Sequence, residues 1–342
     1  MASICRLIAF ASAAVLAAGT TAYAAPAYVT GTPIVLPDGR WDYASFDSAN
    51  RLVYVARSDT VSVIDPAHPE AVRAIGTIAR GHAAFTLPGG KVLVVTSGQD
   101  DTVRLLDTGD GHQIAAIPVG KEPDYAFYDQ TSKTVLVMNA RGGTVSQIDP
   151  STAKVVATIA LKPALEAGVM ASATLLVVNN EDLGELDLAD VTGGTALGTI
   201  PMPGCEAPTG IAWVPEMGAT ISACANGKAA VVDVAARKLL ALLPIGMGPD
   251  AALYDAVRRR VLIPCGKSGS ISVFSLGADM ALHAEADIPS GSGARTATLD
   301  PTDGTIYLPS AKFAAAPAPG SRSVSAIPGS VRLLRLSPAA SH

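Results

Sequence analysis

The sequence repeats itself. The stretch "RLVYVARSDTVSVIDP" (Arg51 to Pro66) returns as "TVLVMNARGGTVSQIDP" (Thr134 to Pro150). In each, apolar β-branched residues alternate with polar ones, and a small polar turn joins two such runs. That is a hairpin with period two. Seven segments align by their first strand, opening at "WDYASFD", "GHAAFTL", "EPDYAFYD", "ALEAGVMA", "CEAPTGIAWVP", "GPDAALYD" and "GARTATLDP". Anchored on Asp42, His82, Asp124, Glu166, Glu206, Asp250 and Arg295, they are spaced by 40, 42, 42, 40, 44 and 45 residues. A unit of about 40–45 residues carrying four short strands is a propeller blade.

Within a unit the first strand follows the anchor. A turn such as "DSAN" or "DQTS" leads to a second strand ("RLVYVA", "TVLVMNA"), then a third ("TVSVID", "TVSQID") and an outer fourth ("QIAAIPV", "KVVATIA"). The seventh unit has no fourth strand after Leu336, whereas "TPIVLPDG" (Thr32 to Gly39) stands unused before the first. The expectation is therefore an all-β, seven-bladed β-propeller whose ring is closed by an N-terminal strand completing the last blade. Closure removes two open sheet edges that would otherwise invite aggregation. Composition agrees. Only 16% of residues are charged, while 32 Gly and 24 Pro supply turns, which suits many short buried strands better than surface helices.

The first 24 residues carry one basic residue, Arg6, then an apolar run and Ala22-Tyr23-Ala24. This pattern is a secretory signal peptide cut after Ala24. Residues 25–342 then form a single propeller domain, exported to the periplasm or secreted, with a long Ala-, Pro- and Ser-rich loop at 310–330 in the last blade. No later apolar run is long enough to span a bilayer. The mature chain has 24 basic against 30 acidic residues, and it lacks the basic, aromatic-bearing groove of a nucleic-acid binder. Its expected partners are a small molecule, a cation or an exported protein, and the chain itself is expected to be a monomer.

Three cysteines remain after cleavage. Cys205 and Cys224 start the first strand and end the second strand of the fifth blade, ends that lie side by side at a separation that suits a disulfide. Cys265, at the matching second-strand end of the sixth blade, is expected to be a lone buried thiol, with exchange against Cys224 left open.

In this strand order the seven anchors converge at one mouth of the central channel, giving a candidate ligand site of Asp42, His82, Asp124, Glu166, Glu206, Asp250 and Arg295. At an effective dielectric of ~20, two charges about 6 Å apart interact by about 3 kcal/mol. Crowded carboxylates must therefore be protonated, paired with Arg295 or neutralised by a bound cation. His82 with Asp42 and Asp124 forms a candidate divalent-metal set, and the carboxylates alone suit Ca²⁺. The competing structural role is that the anchors accept backbone hydrogen bonds from the next blade and staple the ring. Ends of the second strands add Arg57, Arg141, Lys228, Lys267 and Lys312 to the same face. The chain has no G-x-S-x-G elbow, H-E-x-x-H, C-x-x-C-H or P-loop motif, so no catalytic residue is assigned.

The segments "WDYASFD…RLVYVARSDTVSVID", "CEAPTGIAW…ISACANGK" and "GARTATLDPTDGTIYLPSAKF" resemble the exported YncE-like, YVTN-repeat β-propeller proteins of bacteria. The resemblance covers essentially the whole mature chain and implies a propeller in an oxidising, exported setting. That family has no common activity to carry over. The functional expectation is a binding or scaffold protein that holds a ligand at the channel mouth. The alternatives are a metal-assisted, lactonase-like hydrolase using the channel-mouth carboxylates, and single-stranded nucleic-acid binding.

Overall fold

The computed structural model describes residues 28–314 and 325–339. The expected signal peptide lies outside them. Seven antiparallel sheets follow one another around an axis. The third shows the pattern, with strands Pro123–Asp129, Thr134–Asn139, Thr144–Asp149 and Lys154–Ala160 in sequential order from axis to rim. The protein is thus a seven-bladed β-propeller, as the repeat predicts.

Each second strand is wedged between two neighbouring blades, which is why it reads as a continuous apolar run rather than an alternating one. In "TVLVMN" every residue is buried. Successive side chains point to opposite faces, so Val135 and Val137 pack with Val94 and Leu105 of blade 2, while Leu136 and Met138 pack with Leu176 and Val178 of blade 4. The same division holds around the ring. The core among the described residues consists of seven clusters, each straddling one boundary between consecutive blades. No blade buries its faces alone, and stability is shared between neighbours.

The N-terminal segment closes the ring. Ile34–Val35 pairs with Leu333 and Arg332 of the last long strand, Arg332–Pro338. Ile34 and Leu36 enter the cluster that joins blades 7 and 1, beside Val53, Val55 and Tyr307. The expected strand is shorter than Thr32 to Gly39, because Pro33 and Pro37 flank it and neither can donate to a ladder. A second strand, Tyr28–Thr30, extends the closure against Leu336 to Pro338. Outer strands vary in length and continuity. That of blade 1 shrinks to Arg73–Ile75, and that of blade 6 splits into Leu282–Ala284 and Ile288–Pro289.

Outer strands are open edges, and in blades 2 to 5 each carries a bulge. The extra residue is Ile114, Val156, Leu197 or Leu240. A bulge twists an edge away from straight pairing with another chain.

Cys205 and Cys224 form a disulfide with Cα atoms 5.3 Å apart. Cys205 lies in the turn ahead of the first strand, Pro208–Val214, rather than in it. Cys265 is free and buried. No helix among the described residues is long and apolar enough to cross a membrane. At the start of the long loop Phe313 bridges to Ala326 and its ring approaches that of Trp41, with centroids 6.3 Å apart. Residues 315–324 of that loop lie outside the described residues.

Candidate ligand site at the channel end

The anchors owe their aim to a backbone irregularity. In blade 1, Trp41 pairs with Arg57 and Ala44 with Val55, so Asp42 and Tyr43 together oppose the single residue Ala56. The same two-against-one step sets His82 with Ala83, Asp124 with Tyr125, Glu166 with Ala167, and Thr209 with Gly210. A bulge bends the strand and re-aims its side chains, here at the innermost edge of each blade. The residue two positions before the first bulge residue, or before Asp250 and Arg295 in blades 6 and 7, is left-handed throughout blades 2 to 7: Arg80, Glu122, Ala164, Ala207, Gly248 and Gly293 have φ between 44° and 73°. Only Gly248 and Gly293 announce this in the sequence, since glycine adopts positive φ without a Cβ penalty.

A bulge leaves backbone carbonyls without ladder partners, and buried carbonyls need partners. Neutral side chains of adjoining blades supply them. The Thr296 hydroxyl donates to the Asp42 carbonyl (2.8 Å), Thr96 to Asp124 (2.9 Å), and Thr209 to Pro249 (3.4 Å). The Asn179 amide donates to the Thr209 and Gly210 carbonyls at 2.8 and 3.1 Å. Blade-to-blade stapling at these carbonyls is thus carried by Thr and Asn, and the charged anchor side chains turn to one another.

They form a chain across five consecutive blades. His82 donates from Nδ1 to Asp42 Oδ2 at 2.8 Å and lies 3.5 Å from Asp124 Oδ1. Arg295 Nη2 stands 3.9 Å from Asp42 Oδ1, and its Nε donates to Asp250 Oδ2 at 2.5 Å. The order Asp124–His82–Asp42–Arg295–Asp250 therefore joins blades 3, 2, 1, 7 and 6. Glu166 of blade 4 joins through its field. Burial, then the charges of Asp124 and Asp250, hold its carboxyl well above the usual range.

The electrostatics are those of too many acids. Burial, then the neighbouring Asp42 and Asp250 charges, push Asp124 up to about 7 even though His82 opposes the shift. Asp250 rises to about 6 for the same leading reason, against the pull of Arg295. For His82 burial disfavours the imidazolium, but the hydrogen bond to Asp42 and the field of Asp124 outweigh it and raise its pKa. A ring nitrogen of His82 and one carboxylate oxygen each from Asp42 and Asp124 all lie within 4.8 Å of one another, a spacing that can hold a metal ion.

Glu206 is not brought into this cluster. The bulge register puts Thr209 at the blade 5 position, while Glu206 is exposed on the entry turn beside Cys205. The acidic charge that reaches Glu166 and Asp250 from elsewhere is Glu181, at the end of blade 4's second strand. Arg57 departs from expectation too. It is 3% exposed and donates to the Pro37 carbonyl at 2.8 Å, tying the N-terminal segment to blade 1 instead of facing solvent. Arg80 and Glu122, both left-handed, pair at 2.6 Å across the blade 2–3 boundary.

Seven radial sheets with a charged ring at one end of the axis define this chain as a β-propeller with an axial polar site. No family model matches the sequence, and no curated protein does. Solved structures do match. A chain of the Kuenenia stuttgartiensis hydrazine synthase structure is 16% identical with a TM-score of 0.68, over 82% of this chain and 96% of that one. A chain of a mitotic checkpoint complex is 14% identical with a TM-score of 0.70, over 98% of each. A streptogramin B lyase structure is 11% identical with a TM-score of 0.70, over 91% of this chain and 98% of that one. At such identities the likeness is one of fold, and fold does not carry function.

Proposed function

We propose that the protein is an exported, YncE-like propeller that binds a cationic ligand at the ring of Asp42, His82, Asp124, Glu166, Asp250 and Arg295. One observation carries this reading. The ring stapling seen at the bulge carbonyls is done by Thr and Asn, while the ring holds four carboxyls against two cationic groups, with Asp124 and Asp250 pushed up to about 7 and about 6. Charges crowded beyond their own compensation favour a positive guest. Glu206, exposed and out of register, is left out of the proposed set. Export rests on the A-x-A segment and on the disulfide, which persists in oxidising compartments.

Calorimetric titration of the mature protein with organic ammonium and divalent cations tests the reading. Binding that weakens at least tenfold in Asp124→Asn supports it, and absence of binding by every cation removes it. The spacing of Asp42, His82 and Asp124 favours a second reading, in which a divalent ion serves a hydrolase. Elemental analysis together with a lactone panel separates the two: a stoichiometric metal with turnover supports the hydrolase, and a metal-free, inactive protein dismisses it.

A further inference from the structure

Directly beneath the ring the axis opens into a cavity of about 590 Å³. Its wall starts one residue past the anchors, with Tyr43, Ala83, Tyr125, Ala167, Gly210 and Ala251. It runs to the opposite face, where Ser48, Pro88, Gly89 and Gln130 of the first-to-second-strand turns line the mouth. The ring therefore stands at one end of the cavity and the turns at the other.

The tube is lopsided. The chain is poor in aromatics, with two Trp, eight Tyr and six Phe, yet Tyr43, Phe46, Phe85, Tyr125, Phe127 and Tyr128 all line this cavity, and all belong to blades 1 to 3. The facing blades contribute no aromatic ring, only small residues such as Ala167, Gly210 and Ala251 with the aliphatic Ile211 and Leu253. The rings therefore border the cavity on one side only. Tyr43 and Tyr125 meet edge to face with centroids 5.0 Å apart, and Phe127 continues the wall 6.2 Å from Tyr125. Tyr43 connects wall and ring. Burial, then the charges of Asp250, Glu166, Asp124 and Asp42, drive its hydroxyl well above its usual pKa.

Size and chemistry together select a guest. An inorganic ion occupies little more than the share of one water, about 30 Å³, and would leave the apolar length of the tube unfilled. A neutral apolar molecule would leave the carboxyls uncompensated. Cavities of about 300–1,000 Å³ suit small organic ligands, and aromatic faces attract cations as well as apolar groups.

We infer that the axial cavity binds a protonated organic amine with an apolar body, which enters from the turn-side mouth, lays its body along Tyr43, Tyr125 and Phe127, and directs its ammonium to the carboxyls of the ring. This rests on the cation-binding reading above and names its ligand class.

The test titrates the mature protein with 2-phenylethylammonium, its neutral analogue 2-phenylethanol, and Mn²⁺. The amine is expected to bind at least tenfold more tightly than the alcohol, and Tyr43→Ala is expected to weaken it at least fivefold. Should thermal melting show Tyr43→Ala to be unfolded, Phe127→Leu takes its place with the same expectation. Saturation-transfer NMR on the unaltered protein should mark the ring protons of the amine. Equal binding of amine and alcohol, or an amine indifferent to both wall variants, overturns the inference. Mn²⁺ binding lost in Asp124→Asn, with no amine binding at all, overturns the inference but leaves the cation site standing. Failure of every cation to bind overturns both.

Discussion

Thr296 and Asp42 lie 254 positions apart, and the hydroxyl of the first donates to the backbone carbonyl of the second at 2.8 Å. This bond crosses the seam where the end of the chain meets its beginning. It also separates two tasks within one residue. The Asp42 backbone is held by a neutral partner, and its side chain is left to His82 and Arg295.

Replacing Thr296 by Val keeps the shape and removes the donor. The Asp42 carbonyl then loses this side-chain partner in a part-buried site, a loss of about 1–3 kcal/mol. Urea denaturation should show that decrease, while the affinity for cations stays within about twofold because no ring charge is touched. An unchanged midpoint would show that the seam does not depend on this bond.

Stability should fall as pH rises from about 4 to about 7. Asp124 at about 7 and Asp250 at about 6 bind protons in the folded chain that they would release when unfolded, where carboxyls titrate near 4. The folded state therefore holds more protons across that window, and raising the pH disfavours it. The raised pKa of His82 acts in the same direction, its contribution being complete below about 6.5 and lost as pH passes its folded value. Melting temperature measured at pH 5 should exceed that at pH 8, and Asp124→Asn should flatten the slope. A melting temperature that climbs over this range would contradict the proposed crowding of charge.

Neighbouring residues of the closing strand should differ sharply. Ile34 is 1% exposed in the seam cluster, whereas Val35 is 60% exposed. Ile34→Ala should cost about 2–5 kcal/mol through lost contacts and a cavity, and should expose the edge of Arg332–Pro338 to self-association. Val35→Ala should stay within about 0.5 kcal/mol. Thermal melts and size-exclusion chromatography of the two variants read both effects.

Much of this was legible beforehand. The period of the hairpins specified seven blades, the spare "TPIVLPDG" segment pointed to the closing strand, and the hairpin between Cys205 and Cys224 pointed to the disulfide. Asp42, His82, Asp124, Glu166, Asp250 and Arg295 could be picked out because a charge-poor chain placed ionisable residues at one repeat position. Glu206 stands out for the same reason but lies outside the ring, since residue type marks an anchor where the register selects Thr209. The left-handed turn before each strand left no glycine trace at Arg80, Glu122, Ala164 or Ala207. The strand Tyr28–Thr30 is too short to show a period.

Alternation and spacing are local properties, so the order of residues alone determined the blades, their number and which residues stand near the axis. Which of them touch is not local. A bulge is defined against the partner strand, and a carbonyl is stapled by a side chain from the next blade. Closure around the ring then decided that His82 would lie between Asp42 and Asp124, and that every aromatic ring lining one cavity would come from blades 1 to 3.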